Sequence, residues 1–263
     1  MSTAEATAQT GIAMQRSKNP FDWIAAGWRD LLAAPTVTLA YGLLFFATSW
    51  VIVGVLVFVG AQGVLLPAIA GWLLVGPLLA IGLYHTSHRL AVGKRVSLVA
   101  AVHIKASSLQ QLGFAGALLM VLLMLWIRVA AIIYALFFGL GSFPGITEFL
   151  SSLFLTWNGV LMLIIGTLVG GLFAALGFAI SAFSIPMLLS RDVDIFTAMA
   201  RSTVTVWNNI GVMIVWGAII VVLSLAGMVL GFLGMIIVFP LLGYATWHAY
   251  AAFFGDDPAT KGA

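Results

Sequence analysis

The 263-residue sequence predicts an all-α polytopic membrane protein, with six transmembrane helices in three units, each an amphipathic helix followed by a helical hairpin. Composition, the length of the apolar runs and the placement of basic residues carry that prediction. The chain is 63% hydrophobic and 7% charged, where a soluble domain carries about 25% charged residues. So few charges cannot clothe a globule in water, and the solvent around most of the chain must be lipid. The 28 glycines fit that setting, because small residues let membrane helices approach closely. A net charge of +3 with no dense basic patch gives nucleic-acid binding no support. Without cysteine, disulfides, iron–sulfur clusters and thiolate metal sites are excluded.

The elements follow in order. Residues 1–19 are small and polar, lack the apolar core of a signal peptide, and read as a disordered cytoplasmic tail. Residues 20–34, PFDWIAAGWRDLLAA, set Phe21, Ile24, Ala25, Trp28, Leu31 and Leu32 at helical spacing, with Asp22, Arg29 and Asp30 mostly off that stripe. Such a pattern predicts an interfacial helix with its tryptophans at headgroup level. Crossing a bilayer takes about 20 apolar residues. Runs of that kind occupy 36–59, 64–84 after the turn Gly60-Ala61-Gln62-Gly63, 112–135, and part of 157–189, which is longer than one crossing needs. The stretch 210–254 is divided into two by Gly231-Phe232-Leu233-Gly234. All are apolar throughout, which favours helices over the alternation of a barrel strand. Val96 to Ala101 and Val193 to Ala198 begin two further short helices, with Ser97 and Asp194 placed to cap them. Residues 20–254 thus read as one membrane domain and 255–263 as a C-terminal tail.

Charge placement tests the count of spans. Every Lys and Arg except Arg128 lies in the N-terminal segment, in 85–111, in 190–209 or in the C-terminal tail, and six crossings put all four on one side. The opposite loops, near 60–63, 140–156 and 231–234, contain no Lys or Arg. By the positive-inside rule the basic side is cytoplasmic, with both termini there. An even number of crossings per unit also lets the three units repeat in parallel.

Three stretches then carry a resemblance: Trp23-Ile24-Ala25-Ala26-Gly27-Trp28-Arg29-Asp30, Gly76-Pro77-Leu78-Leu79-Ala80-Ile81-Gly82-Leu83-Tyr84, and Ser184-Ile185-Pro186-Met187-Leu188-Leu189-Ser190-Arg191-Asp192-Val193-Asp194. In this order they resemble a family of uncharacterised bacterial integral membrane proteins, a domain of unknown function, over nearly the whole of 20–254. The resemblance implies a polytopic inner-membrane protein and no activity. Members are sometimes labelled putative cytochrome c oxidase subunit I. The catalytic reading of that label fails here, because the chain has four histidines and lacks the His-Pro-Glu-Val-Tyr-like stretch.

His85, His88 and His248 are the sharpest candidate ligands. His85 and His248 are candidates for a bis-histidine haem, related by symmetry between the first and third units. His85 and His88, three apart on one helical face, are candidates for a divalent metal. The competing reading makes Tyr84-His85 and Trp247-His248 aromatic–imidazole anchors where a span reaches the headgroups. It is preferred because no histidine lies mid-span, so no cofactor is expected. The resemblance points the same way, implying an acidic residue at position 85 and an arginine at 88.

Arg128, in LMLWIRVAA, lies about 24 Å along a helix entering near 112, and Glu148 is the one acidic residue on its side. A structural Arg128–Glu148 ion pair is expected. Pro77, Pro186 and Pro240 sit inside spans two, four and six as kinks, one per unit. Gly166, Gly170, Ala174 and Gly177 form a small-residue edge for packing within the chain. Ser190 to Asp194 reads as a surface turn leading into a capped helix.

No nucleotide-binding loop, metalloprotease motif or nucleophile–base constellation appears. The expectation is a non-enzymatic accessory or structural protein of a larger membrane complex, with the lipid bilayer and the subunits of a respiratory complex as partners. A small-solute transporter or channel is the alternative, and a haem- or metal-binding redox protein comes third.

Overall fold

The computed structural model describes residues 17–102, 109–141 and 143–255. The expected tails, 1–19 and 255–263, therefore lie almost wholly outside the described residues. The described residues are helical, without strands: α1 (Pro20–Ala33), α2 (Pro35–Phe58), α3 (Leu65–Leu79), α4 (Ile81–Ala91), α5 (Leu98–Val102), α6 (Leu109–Phe138), α7 (Ile146–Leu155), α8 (Trp157–Ser181), α9 (Ser184–Ser190), α10 (Ile195–Asn208), α11 (Ile210–Val229) and α12 (Met235–Phe254). Six segments among them are long and apolar enough to cross a membrane: Pro35–Phe58, Gln62–Ala91, Gln110–Phe138, Trp157–Ser190, Ile210–Val229 and Met235–Phe254. The protein is a multi-pass integral membrane protein.

Local chemistry sets the boundaries. Asn19 caps α1, its side-chain oxygen accepting from the Phe21 amide at 3.1 Å. Ala34 leaves helical geometry because it precedes Pro35, which then opens α2. Gly60 (φ +73°) and Gly231 (φ +63°) take left-handed conformations at the two expected turns, which glycine adopts without a Cβ clash. Short helices α1, α5 and α10 each precede a pair of spans.

The described residues divide into two compact units: up to 48, 77–102 with 109–114, and 179–255 in one, 49–76 and 115–178 in the other. In the first, α12 packs against α1, α4, α9 and α11. Trp23 of α1 sits edge-on to Trp216 of α11 and to Phe253 of α12, with ring centroids 5.5 and 6.0 Å apart. Phe45 stacks on Phe239 at 4.3 Å. Two glycines let backbones touch. A Cβ on Gly27 would lie 2.8 Å from the Ala245 amide nitrogen, and one on Gly42 would lie 2.0 Å from the Ile236 carbonyl oxygen.

That packing leaves most of the interfacial stripe of α1 outward and corrects only the place of Trp23, expected at headgroup level. Trp23 is 1% exposed and Ala26, Gly27 and Leu31 are buried, while Phe21 (65%) and Leu32 (62%) lie outside with Trp28. Inside lipid the more apolar face has no special reason to turn inward; the face that packs is the one whose small residues allow close approach. Helix α10 behaves alike, burying Ile195, Ala198, Met199 and Ser202 and exposing Phe196 and Trp207.

In the second unit, Trp126 of α6 donates its indole N–H to the Pro67 carbonyl at 2.8 Å. Its ring fills the space above Gly170 of α8, and Gly177 lies against Leu74 and Leu122. Of the expected small-residue edge, Gly166 faces open space and Ala174 is exposed. The segment 140–156, expected as a loop, contains α7. Phe149 of that helix joins Tyr134, Phe138 and Phe143 in an aromatic cluster with centroids 5.3–6.0 Å from its own.

The three prolines behave differently. Pro77 lies near the end of α3, and the chain breaks at Ala80 before α4. Pro186 lies in α9, after a break at 182–183, which accounts for the excess length of the fourth run. Pro240 sits in α12, which is continuous from Met235 to Phe254, so it does not interrupt its helix as the other two segments are interrupted.

The break before Pro186 has a second cause. The Ser202 hydroxyl of α10 accepts from the Phe183 amide at 3.2 Å and donates to the Ala179 carbonyl at 2.7 Å. Those two backbone groups would bond each other in an unbroken helix, so Ser202 is inserted into the ladder. Ser202→Val should leave both without a partner and lower stability by about 1–3 kcal/mol. Ser202→Ala should cost less, because the ladder can close. Thermal unfolding of both variants in detergent separates them.

Candidate functional site

The densest polar cluster joins α1, α4 and α12 within the first unit. Asp30 Oδ2 accepts from the Ser87 hydroxyl at 2.5 Å and pairs with His248 Nε2 at 2.8 Å. Ser87 is fully buried, and the side chains of His248 and Asp30 are 14% and 15% exposed. Toward an ionised carboxylate, which only accepts, His248 donates from Nε2 in the tautomer that carries its proton there. Asp30 reaches this place because Trp23, Gly27, Asp30 and Ala34 recur at i, i+4, i+7 and i+11, one side of a helix.

The arrangement is not that of a nucleophilic triad. There an imidazole stands between serine and carboxylate and takes the serine proton. Here the carboxylate stands between serine and imidazole, so His248 does not receive the Ser87 proton. What the cluster does is fasten three helices at one point. Asp30→Ala should strand a buried hydroxyl and an imidazole and destabilise the protein by about 1–3 kcal/mol. Asp30→Asn, which keeps an acceptor oxygen, should recover part of the loss in the same unfolding assay.

Of the candidate haem pair, His248 has Nε2 engaged by Asp30, which leaves Nδ1 as its one nitrogen for a ligand. His88 lies half-buried with its ring 5.2 Å from that of Trp247, and His85 is half-buried one turn before it on α4. No group of three or more His, Asp or Glu among the described residues is placed to hold a metal ion.

A second polar knot closes the end of α12. Ser190 and Tyr250 share a hydroxyl–hydroxyl bond of 2.8 Å. The Arg191 guanidinium donates to the Phe254 carbonyl at 2.7 Å and lies over the rings of Tyr250 and Phe254, at 5.9 and 5.5 Å. Arg191 is thus buried, where the sequence pointed to a surface turn. A cation at the last carbonyls of a helix meets its negative end. Nearby, Thr38 and Tyr244 share a hydroxyl bond of 3.1 Å.

The cap positions carry the expected bonds. The Ser97 hydroxyl accepts from the Ala100 amide at 3.2 Å, and Asp194 accepts from the Thr197 amide at 2.9 Å. The Thr197 hydroxyl and amide hold the Asp194 carboxyl below its ordinary pKa.

The expected Arg128–Glu148 pair is a correction. Both side chains are exposed, and no ion pair joins them among the described residues. Arg128 follows the buried Trp126 by two residues, about 200° around α6, which turns it away from the packed side. Glu148 belongs to the first turn of α7, whose Phe149 packs beside Tyr134 and Phe138 instead.

Neither curated proteins nor solved structures contain a match to the chain. A family model described as a predicted integral membrane protein matches residues 65–190, from the start of α3 to the end of α9. Over those residues, just under half of the chain, the sequence is similar to the integral membrane domain of unknown function DUF2189.

Proposed function

We propose that the protein is a non-enzymatic accessory or structural subunit of a larger complex in the bacterial inner membrane, with its basic segments and both termini in the cytoplasm. The observation that carries this reading is how the buried polar side chains of the first unit are used. Asp30, Ser87 and His248 close on one another, as do Thr38 with Tyr244 and Ser190 with Tyr250. A carrier of polar solutes keeps such groups available to its substrate; these are engaged in joining helices. The order of one short helix and two spans, met three times along the chain, supports a threefold internal repeat behind this architecture.

Small-solute transport is favoured by one feature, the helix breaks at Ala80 and at 182–183, since broken helices line transporter sites. At the second break Ser202 occupies the freed backbone groups, which counts against a substrate there. The test is extraction of the tagged full-length chain from its native membranes in mild detergent, followed by native electrophoresis and mass spectrometry. A stoichiometric complex with a defined partner is expected. Migration as a lone chain, together with solute flux through reconstituted vesicles, would overturn the proposal in favour of transport.

A further inference from the structure

We infer that the outward face of α6 around Arg128 is a docking surface for a transmembrane helix of another protein, one that carries a carboxylate at the depth of Arg128. This rests on the accessory-subunit reading and names the chemistry of its partner. Arg128 stands among apolar neighbours on that face: Val121 (54% exposed), Met124 (65%), Leu125 and Ile132, with the small Ala117 and Ala131 along the same side. Ala117, Met124 and Ala131 recur every seven residues, with Val121 and Arg128 on the parallel row, the spacing of a helix–helix seam. One charged residue in such a seam sets register.

Charge argues for a protein partner over lipid tails. Arg128 lies about 15 Å from the end of α6 at Phe138 and about 27 Å from Gln110, which places it inside a core about 30 Å thick, at about 3–15 Å from the nearer face. Each Cα–Cβ bond of a helix tilts toward its N-terminus. The Cα–Cβ bond of Arg128 therefore tilts away from the Phe138 end, so its side chain must turn back along the helix to reach that end. An intramembrane arginine is ordinarily paired or set in a wet interior, and no partner for this one occurs among the described residues. The six spans of this chain contain no Asp or Glu, so a second copy has no carboxylate to bring to that depth. Charge complementarity thus calls for a different chain.

The experiment places a photo-crosslinking diazirine amino acid at Met124 of the full-length chain in its native membranes. A control carries it at Leu172 of α8, an equally lipid-facing position. Irradiation should give a discrete protein adduct from position 124 and none from 172. The linked peptide should be a transmembrane helix with Asp or Glu within a turn of the crosslink. Arg128→Gln should lower the adduct yield at least about tenfold, equivalent to about 1.4 kcal/mol of association, and Arg128→Lys should retain a substantial part. Changing the partner's carboxylate to its amide should reproduce the Arg128→Gln loss. Arg128→Gln removes a lipid-facing charge and should leave the unfolding temperature of the isolated chain unchanged or raised, which separates docking from misfolding. An adduct with phospholipid alone, an adduct with a second copy, or a yield indifferent to Arg128→Gln while the native complex persists would overturn this inference and leave the accessory reading standing. A native extract with no complex at all would overturn both.

Discussion

Gly42→Ala is expected to cost about 3 kcal/mol or more, at the upper end of what overpacking a close contact produces. The added methyl would meet the carbonyl oxygen, carbonyl carbon and Cα of Ile236 at 2.0–2.9 Å. All three are backbone atoms, so no rotamer change relieves the clash, and α2 must withdraw from α12. The retreat would loosen Phe45 from Phe239 and Thr38 from Tyr244 on the same pair of helices. Gly54→Ala supplies the control, because a Cβ there meets nothing within 4 Å. That variant should be neutral or slightly stabilised, since alanine favours a helix over glycine by about 0.5–1 kcal/mol. Thermal unfolding of the two variants in one detergent checks the contrast, and equal midpoints would mean the α2–α12 contact is not as close as described.

Trp23→Ala should be the most damaging side-chain deletion, at about 3–5 kcal/mol. Trp23 is buried, holds edge-to-face contacts with Trp216 and Phe253, and donates its indole N–H to the Ser17 carbonyl at 2.8 Å. Trp23→Phe keeps part of the ring packing and loses the hydrogen bond, so its cost should fall well below that of alanine. Trp28→Ala provides the comparison on the same helix, because Trp28 lies on the outward face. In detergent its loss should be within about 0.5 kcal/mol of neutral. Similar effects at positions 23 and 28 would undo the assignment of the packed face.

The contrast between those two tryptophans marks what the sequence could disclose. The six spans were legible because length, apolarity and the one-sided basic residues depend only on the chain meeting a bilayer. The packed side of α1 was not, because the apolar stripe marks the side that meets the membrane and leaves open which of the remaining residues pack on α12. The small residues Ala26 and Gly27, at i+3 and i+4 from Trp23, were the usable signal. Helix α7 is also readable: Ile146, Phe149, Leu150, Leu153 and Phe154 follow helical spacing after Pro144-Gly145, but ten residues fall short of a span, so span length alone leaves them as a loop. The Asp30–His248 contact joins positions 218 residues apart, and no local pattern announces it. The histidines stand out in the sequence for their chemistry, while the group that engages His248 lies in another helix. Arg128 was legible as an anomaly. Its pairing with Glu148 was not sustained, because that pairing considered only the side of the membrane shared by the two residues and not the angle around the helix.

The hydroxyl wedge between α8 and α9 bears on the order in which the chain is made. Ser202 is synthesised after the helix it opens, so at first the Phe183 amide and the Ala179 carbonyl have only each other to bond. The fourth segment is therefore able to enter the bilayer with that turn closed and only the gap left by Pro186. Its bend is installed later, when α10 folds back and slides an oxygen between the two groups. In this protein a helix is bent by the chain that follows it, and the final shape of the fourth crossing belongs to the end of biogenesis.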